Sequence, residues 1–395
     1  MGDTPLRELF PTDMPVAAGE MIGRQDDVAE VAGALGEGVN TIIAGPRRIG
    51  KTSVCEAALG RLRRRGFYVA TVDLFDQADA GDLAESLIVA TVANRPPLRR
   101  MLRRARAAGR ALADAASVSA IVKAKLELGE EIEFAFRPGL AGEDPERALR
   151  AALALPQKVA RSDGKQIVVF FDEFQEVAHR RHPYGDPEVL TRRMRTSFQR
   201  SPNVSFLFAG SIEHLMRDLF APTDRALSQF GSFHELHPIT AEQWREGLLA
   251  RFTRAGLGAD AAVCDRIVEL AGGHPRSTML LARCTAQAAR EERSGRIEAH
   301  HVELGLLLAL ESDRLRHQQQ LERIRDIRHG QRVAERIARG QATYHNLPPK
   351  MAAAAVRGLR ERGIIEPGRA RGSWQIVDPL FGRYLSSLGP SLPLT

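Results

Sequence analysis

The feature that most constrains the fold of this chain is a short glycine- and lysine-containing segment near the N-terminus. Between residues 45 and 53 the sequence is GPRRIGKTS, which matches the pattern G-x-x-x-x-G-K-[ST] at every fixed position. The run Asn40 to Ala44 before it is typical of a strand, and Ser53 to Arg65 after it is typical of a helix. In such a loop, backbone N–H groups and the positive end of the helix dipole face phosphate oxygens. The sequence therefore predicts a nucleotide triphosphate site.

Individual residues of this loop have expected chemical roles. Lys51 is expected to contact the β- and γ-phosphates of ATP, and Thr52 is expected to ligate Mg²⁺. The residues predicted to surround the nucleotide are Gly45, Pro46, Arg47, Arg48, Ile49, Gly50, Lys51, Thr52 and Ser53.

A second motif consists of a strand that ends in acidic residues. The run Ile167 to Phe171 is apolar at every position, as in a parallel strand buried on both faces, and it is followed by Asp172 and Glu173. Ligands bind outside the carboxyl ends of such strands. Asp172 is thus predicted to hold Mg²⁺, directly or through water, and Glu173 to act as the general base for the attacking water.

Composition limits the remaining possibilities. The 395 residues are enough for about two to three domains. The longest apolar stretches, such as Leu304 to Leu310, are too short to span a bilayer, and the N-terminus lacks a basic-then-apolar signal. We therefore expect a cytoplasmic protein with no membrane partner. The three cysteines are widely spaced, which indicates neither a disulfide framework nor a zinc cluster.

Positive charge is carried mainly by arginine, and it is clustered. The chain has 56 basic and 49 acidic residues. Arginine-rich segments occur at Arg61 to Arg65, Arg99 to Arg110, Arg314 to Arg339 and Arg357 to Arg371. Arginine suits bidentate phosphate contacts, yet such helices are also ordinary solvated faces, so a nucleic-acid partner stays open.

Strand-like and helical segments alternate in the first 239 residues. The predicted strands are Asn40 to Ala44, Tyr68 to Phe75, Ile167 to Phe171, Val204 to Ala209 and Phe233 to Ile239. This alternation predicts an α/β fold with a parallel sheet and helices on both faces. Residues 83–160 are interpreted as a helical insertion with one strand-like segment, Ile132 to Phe136. The pattern from Thr240 onward is helical, and near the C-terminus a helix at Pro348 to Arg362 precedes a two-stranded ribbon, which is the winged-helix order.

Six phrases in order along the chain carry a family resemblance. They are IGRQDD, GPRRIGKTS, FFDEFQEV, FLFAGSIEHLM, GGHPRST and VDPLFGRYL. Together they resemble the archaeal-type ATPases of the STAND branch of P-loop NTPases, which are relatives of AAA+ proteins. The resemblance implies a P-loop sheet followed by a helical lid and a winged-helix domain. It supports division into a lead-in (1–19), an ATPase core (20–239), a helical lid (240–298), and linker helices with a winged helix (299–395).

The resemblance also implies roles for residues outside the two motifs. Ser211 stands where the family places its sensor 1 polar residue, although a helix N-cap is the alternative. In the GGHP phrase, Gly273, His274 and Pro275 would line the adenine, although Gly-Gly-x-Pro is also a plain turn between helices. Arg276 resembles a sensor 2 arginine that reaches the phosphates.

Two further arginines match the family less closely. Arg24 follows Gly23 as in the family's G-R element near the base or ribose, but Gln25 and Asp26 depart from the usual acidic pair. Arg225 lies near the position of an arginine that neutralises the γ-phosphate of a neighbouring subunit, and a surface ion pair is its alternative.

Three functions remain open. The first is an ATP-hydrolysing conformational switch that uses ATP and Mg²⁺, alone, as a homo-oligomer or with a protein partner. The second is a DNA-binding regulator in which Lys350, Arg357, Arg360 and Arg362 meet phosphates, although Met351 to Val356 offers no base-reading group. The third is a slow signalling scaffold that assembles on a trigger. His179, His182 and Asp186 match no metal-binding pattern, and we interpret them as surface residues.

Overall fold

The computed structural model of the chain describes residues 4–12, 16–45, 49–95, 144–178, 186–211, 213–223, 225–236, 238–343, 347–368, 370 and 372–388. The α-helices are α1 (Leu6–Leu9), α2 (Gln25–Gly36), α3 (Lys51–Arg64), α4 (Ala80–Val92), α5 (Pro145–Asp163), α6 (Pro187–Gln199), α7 (Glu213–Phe220), α8 (Ala241–Arg254), α9 (Ala261–Leu270), α10 (Pro275–Glu291), α11 (Ala299–Ser312), α12 (Arg314–Arg325), α13 (Gly330–Ala338), α14 (Pro349–Glu361) and α15 (Pro379–Ser387). The strands are β1 (Thr41–Ala44), β2 (Tyr68–Asp73), β3 (Ile167–Asp172), β4 (Val204–Gly210), β5 (Ser232–Glu235), β6 (Ile365–Pro367) and β7 (Trp374–Ile376).

Five of these strands form one parallel sheet in the order β2-β3-β4-β1-β5. Successive side chains of a strand point to opposite faces, and all residues of β3 from Ile167 to Phe171 are buried, so both faces of the sheet are covered. The α/β architecture predicted from the alternating pattern is confirmed. Because the strands are parallel, the chain segments that follow β1, β3 and β4 leave the sheet at the same edge.

Phenylalanine rings pack beneath the strand that carries the acidic pair. Phe171 of β3 stacks on Phe208 of β4 with ring centroids 5.8 Å apart, and Phe174 lies 4.7 Å from the same ring. All three side chains are fully buried. Aromatic contacts of this kind add to the burial of apolar area, so they hold the end of β3 firmly against β4.

Several predicted boundaries differ from those in the structure. Strand β2 ends at Asp73, two residues before the predicted end, and β5 ends at Glu235, four residues before it. Within the predicted insertion, α4 and α5 pack against one another. The strand-like segment Ile132 to Phe136 lies outside the described residues.

The chain forms two compact units. The sheet unit comprises residues 26–45 and 51–236, and the helical unit comprises residues 1–25, 46–50 and 237–395. The core of the helical unit contains Trp244, Phe252 and Ile267, together with Leu9 and Phe10 from the lead-in. The Arg251 guanidinium, which is buried, donates a hydrogen bond to the Leu9 carbonyl at 2.9 Å, so the lead-in is anchored within this unit. The finer division into lid and winged helix stays a prediction.

The end of the helical unit contains the predicted helix and ribbon. Helix α14 covers the predicted helix almost completely, and β6 pairs with β7 antiparallel through Ile365 and Ile376. Helices α13 and α14 pack on each other, and α15 follows the ribbon with Phe381 and Leu385 buried in the same small core. Asp378 caps α15 by accepting hydrogen bonds from the N–H groups of its first turn.

Candidate functional site

The glycine loop after β1 requires glycine at one position in particular. Gly50 has φ = 101°, a conformation that side-chain-bearing residues rarely adopt. Arg24, which is buried, donates a hydrogen bond from Nη2 to the Ile49 carbonyl at 3.1 Å and so fixes the loop. The predicted contact of Arg24 with base or ribose stays a prediction, and the loop residues Pro46, Arg47 and Arg48 lie outside the described residues.

Lys51 begins helix α3 and lies at the end of β1. Its side chain is buried, with 7% exposure, and Nζ donates a hydrogen bond to the Gly45 carbonyl at 2.8 Å. A buried ammonium at a helix N-terminus is a strong electrostatic attractor for an anion, because both charge and dipole have the same sign there. The role of Lys51 as a phosphate ligand stays a prediction. Thr52 and Ser53 follow it in the first turn of α3.

Thr52 and Asp172 come together although 120 residues separate them. Thr52 Oγ1 donates a hydrogen bond to Asp172 Oδ2 at 3.2 Å, and the Glu173 N–H donates to Asp172 Oδ1 at 2.9 Å. A hydroxyl and a carboxylate oxygen at this separation are two of the hard oxygen ligands that Mg²⁺ prefers. The residues predicted to hold the metal are therefore adjacent and of the right chemistry.

The electrostatics of Asp172 favour a cation at this position. Burial raises the pKa of Asp172 to about 6, and the neighbouring carboxylates Glu173 and Asp73 contribute to the rise. A buried carboxylate next to two other acids has a high free energy when ionised. A divalent cation bound here would lower that free energy, so the donor set fits Mg²⁺.

Glu173 is held by two hydrogen-bond donors at the edge of the sheet. Ser211 Oγ donates to Glu173 Oε2 at 2.8 Å, and Gln175 Nε2 donates to the same oxygen. Glu173 also has φ = 49°, which is uncommon for a residue other than glycine. Oε1 of Glu173 accepts no hydrogen bond from the residues that the structure describes, so it is the oxygen available to water.

Gln175 was not predicted as a site residue, yet its amide joins Glu173 to Ser211. Its side chain is fully buried, its Oε1 accepts the Ser211 N–H at 3.0 Å, and its Nε2 lies 3.3 Å from Ser211 Oγ. Gly210 makes room for it, because a Cβ at Gly210 would lie 2.7 Å from Gln175 Oε1. The sequence signal was present in the phrase DEFQE, but local patterns do not show a contact across 36 residues.

The GGHP phrase forms a turn before helix α10. Gly272 and Gly273 have φ values of 60° and 66°, and His274 caps the helix by accepting the Ser277 N–H. Pro275 is the first helical residue. The backbone of this phrase is therefore a turn that leads into a helix. Adenine contacts by Gly273, His274 and Pro275 stay a prediction.

The two remaining arginine candidates are both ion-paired. Arg276 is buried and binds Asp313 through both carboxylate oxygens, with Nη2 to Oδ1 at 2.9 Å. Arg225 pairs with Glu188 at 3.3 Å on the surface. The sensor 2 role of Arg276 stays a prediction, and so does the role of Arg225 in neutralising the γ-phosphate of a neighbouring subunit.

A group of His and Glu side chains in the helical unit has metal-binding residue types but is not arranged as a metal centre. Glu292, His300 and His301 place ligand atoms within 4.8 Å of one another. However, Nδ1 of His301 accepts the Glu298 N–H at 2.9 Å, so the neutral ring carries its proton on Nε2, which faces Glu292 at 3.2 Å. A protonated nitrogen cannot ligate a metal. His179 and His182 lie outside the described residues, and Asp186 caps α6.

The sheet order, the glycine loop and the acidic pair define the fold of a P-loop NTPase. The Walker-type ATPase PABY2304 of Pyrococcus abyssi is similar over 95% of this chain and 99% of its own, with a TM-score of 0.69 and 17% identity. The ORC2 protein of Aeropyrum pernix, solved as ADPNP–ADP complexes, is similar over 97% and 96%, with a TM-score of 0.57 and 13% identity. No protein-family model and no curated protein matches the chain. At these identities the likeness shows the fold.

Among the described helices, none is both long enough and apolar enough to cross a membrane.

Proposed function

We propose that this protein is a Mg²⁺-dependent ATPase that hydrolyses the β–γ phosphoanhydride bond of ATP. The observation that carries the proposal is the convergence of Lys51, Thr52, Asp172, Glu173 and Ser211 at one edge of the parallel sheet. Each of these side chains has the chemistry that phosphoryl transfer requires at its position. The structural likeness to a Walker-type ATPase supports the same conclusion.

In this proposal each residue has one task. The Lys51 ammonium stabilises negative charge on the β- and γ-phosphates. Oε1 of Glu173 accepts a proton from a water molecule while the water oxygen bonds to the γ-phosphorus and the bond to the β-phosphate oxygen breaks, releasing ADP and phosphate. Thr52 and Asp172 would hold Mg²⁺, which would supply positive charge to the phosphate oxygens. Ser211 and Gln175 position the Glu173 carboxylate.

We further propose that turnover drives a conformational switch in the cytoplasm, as in the STAND and AAA+ proteins that the sequence resembles. Residues 240–298 would act as the lid, and the C-terminal helices and ribbon within residues 299–395 as a winged helix that transmits the change. The bound nucleotide has a γ-phosphate before hydrolysis and lacks it afterwards. The two nucleotides can therefore stabilise two different conformations of the protein.

The test is steady-state release of phosphate from Mg-ATP, combined with nucleotide binding measured separately. Wild type is expected to turn over ATP. Lys51→Ala is expected to lose binding, and Glu173→Gln is expected to keep binding and lose turnover by at least tenfold, because general-base catalysis typically contributes 10²–10⁴-fold.

A matched control is Glu85→Gln, which neutralises an exposed glutamate on α4 of the same unit. It should leave both binding and turnover at the wild-type level. Normal turnover in Glu173→Gln would refute the base role, and unchanged ATP binding in Lys51→Ala would refute the site itself. Turnover that rises more steeply than protein concentration would indicate a shared active site, with Arg225 as the first residue to substitute.

DNA binding is a second candidate, favoured by the exposed basic face of α14. Lys350, Arg357 and Arg360 are all exposed on this helix. Binding through phosphates releases counterions, so affinity for duplex DNA should fall steeply with salt concentration, and each arginine removed should reduce that slope by about one. Affinity that does not change with salt, or no affinity at all, would eliminate this candidate.

A further inference from the structure

Residues 20–24, which we call the connecting segment, pack on helix α8 within the helical unit. Ile22 belongs to the same apolar core as Trp244 of α8. The buried Arg251 guanidinium, also on α8, donates a hydrogen bond to the Glu20 carbonyl. The position of the connecting segment therefore depends on the position of α8.

Two glycines allow the connecting segment and α8 to approach each other closely. Gly23 has φ = 61°, and a Cβ there would lie 2.7 Å from Gln243 Oε1. On the opposite side of the contact, a Cβ at Gly247 would lie 2.5 Å from Ile22 Cγ1 and closer still to Cδ1. Glycine destabilises a helix interior relative to alanine, and this close approach explains why it occurs within α8.

The side chain of Gln25 holds the other end of the connecting segment. Its Nε2 donates a hydrogen bond to the Met21 carbonyl at 3.0 Å, and its Oε1 accepts the Arg24 N–H at 3.0 Å. Only one residue stands between Ile22 and Arg24. Because the turn between them is tied by these hydrogen bonds, we expect a displacement of Ile22 to displace Arg24 as well.

Arg24 in turn holds one peptide group of the glycine loop. Its side chain is buried, and Nη2 donates to the Ile49 carbonyl at 3.1 Å. The peptide between Ile49 and Gly50 is planar and trans, so this carbonyl and the Gly50 N–H point in opposite directions. Glycine would otherwise leave this peptide free to rotate. Arg24 therefore fixes the direction of a backbone N–H in the loop that is predicted to surround the phosphates.

We infer that Arg24 is a positioning residue for nucleotide binding, which acts through the Ile49 carbonyl, and that the contact of Ile22 with Gly247 links its position to α8. This inference rests on the proposed function, because it concerns the same nucleotide site. It requires no contact of Arg24 with base or ribose. Coupling between two sites is reciprocal, so a nucleotide that orders the loop also stabilises α8 in its present position.

The first experiment compares Mg-ATP with Mg-tripolyphosphate, which has neither base nor ribose. Both affinities are measured by displacement of a fluorescent ATP analogue from the full chain. Arg24→Gln is expected to weaken both ligands by the same factor, roughly tenfold, because hydrogen bonds from charged groups are the stronger ones. Arg7→Gln is the matched control and should change neither affinity, since Arg7 is an exposed arginine of the same unit.

Two results of this comparison would overturn the inference. A loss for ATP alone would mean that Arg24 contacts the base or ribose directly. Unchanged affinity for both ligands would mean that the loop keeps its conformation without the Arg24 hydrogen bond.

The second experiment tests the link to α8. Gly247→Ala is expected to weaken both ligands by about fivefold or more, because the added methyl group displaces Ile22. Adding Ile22→Ala removes the atoms that clash and should recover most of the loss, with Ile22→Ala alone completing the double-mutant cycle. Gly33→Ala in α2 is the matched control, because a Cβ there would meet no atom within 4 Å. Unchanged affinity in Gly247→Ala, or no recovery in the double variant, would overturn the inference.

The thermal unfolding midpoint shows whether each variant folds. If Arg24→Gln does not fold, the cycle at Gly247 decides the matter, because it leaves Arg24 intact. If wild type binds neither ligand, or if Lys51→Ala binds both as tightly as wild type does, the proposed nucleotide site is wrong and the inference is wrong with it. If Lys51→Ala loses binding while the Arg24 and Gly247 variants keep it, the inference alone is wrong.

Discussion

Replacing Asp172 with asparagine should stabilise the nucleotide-free protein while it removes activity. Asp172 has a pKa of about 6 in the folded protein, whereas its ordinary value is 3.8. One pKa unit corresponds to 1.36 kcal/mol, so the ionised carboxylate costs about 3 kcal/mol of folding free energy at pH 8. Asparagine is nearly isosteric, and its side-chain oxygen can still accept the Glu173 N–H.

The raised pKa of Asp172 determines whether ionisation of this carboxyl group stabilises or destabilises the folded protein. Because the pKa of Asp172 is raised in the folded state, folded protein binds the proton more tightly than unfolded protein does. Its contribution to stability therefore decreases as the pH rises from about 4 to 6, and the cost is complete above that window. The gain from Asp172→Asn should be about 3 kcal/mol at pH 8 and roughly half of that at pH 5.

Urea denaturation at pH 8 and pH 5, without Mg²⁺ or nucleotide, measures both values. Asp218→Asn, on the exposed face of α7, is the control and should change stability little at either pH. A loss of stability in Asp172→Asn at pH 8, or an equal gain at both pH values, would refute the assignment of the cost to burial of this carboxylate. Mg-ATP should stabilise wild type but not the variant, because the variant lacks an anionic metal ligand.

Three further predictions concern other parts of the chain. If Gln175 acts by positioning Glu173, then Gln175→Met should lower kcat with little change in KM. The same substitution should have no further effect on the residual turnover of the Glu173→Gln variant, and additive losses in this double-mutant cycle would contradict the positioning role. Asp313→Ala should cost about 3–5 kcal/mol at neutral pH, because it leaves the Arg276 guanidinium buried without its carboxylate. Burial opposes ionisation of Asp313, but the Arg276 hydrogen bonds and charge lower its pKa overall, so the cost in urea denaturation should diminish as the pH falls through that lowered pKa; a cost that is constant down to low pH would contradict it. Burial raises the pKa of Cys264 to about 12, so its thiol should not react with a thiol reagent at pH 8 until the protein unfolds; rapid labelling of native protein would contradict it.

The sheet and the two main motifs could be predicted because each of them depends on a pattern of residues that are close together in the sequence. A parallel strand buried on both faces is apolar at every position, and the run before Asp172 has that pattern. The same reliance on a local apolar pattern placed the predicted end of β5 too late in the sequence. Leu236 and Ile239 continue the apolar pattern because they stay buried after the chain has left the sheet, and Ile239 belongs to the core of the helical unit.

Contacts between distant residues could not be predicted from local patterns. The Gln175 amide meets Ser211 across 36 residues, and Arg276 meets Asp313 across 37 residues. Nothing in periodicity or propensity specifies such a partner, because the contact depends on how whole elements pack. The family resemblance identified Ser211 and Arg276 as candidate site residues, but it did not predict which residues form hydrogen bonds or ion pairs with them.

The strand order has a consequence for synthesis on the ribosome. Strand β1, which leads into the glycine loop, pairs only with β4 and β5 in the sheet, and Thr41 is separated from its β5 partner Ser232 by roughly 190 residues. At about 5–20 residues per second, translation of that interval takes roughly 10–40 s. A nascent chain that has not reached Val204 therefore has no sheet neighbour for β1. It should acquire the ability to retain nucleotide late, only when more than half of the polypeptide has left the exit tunnel.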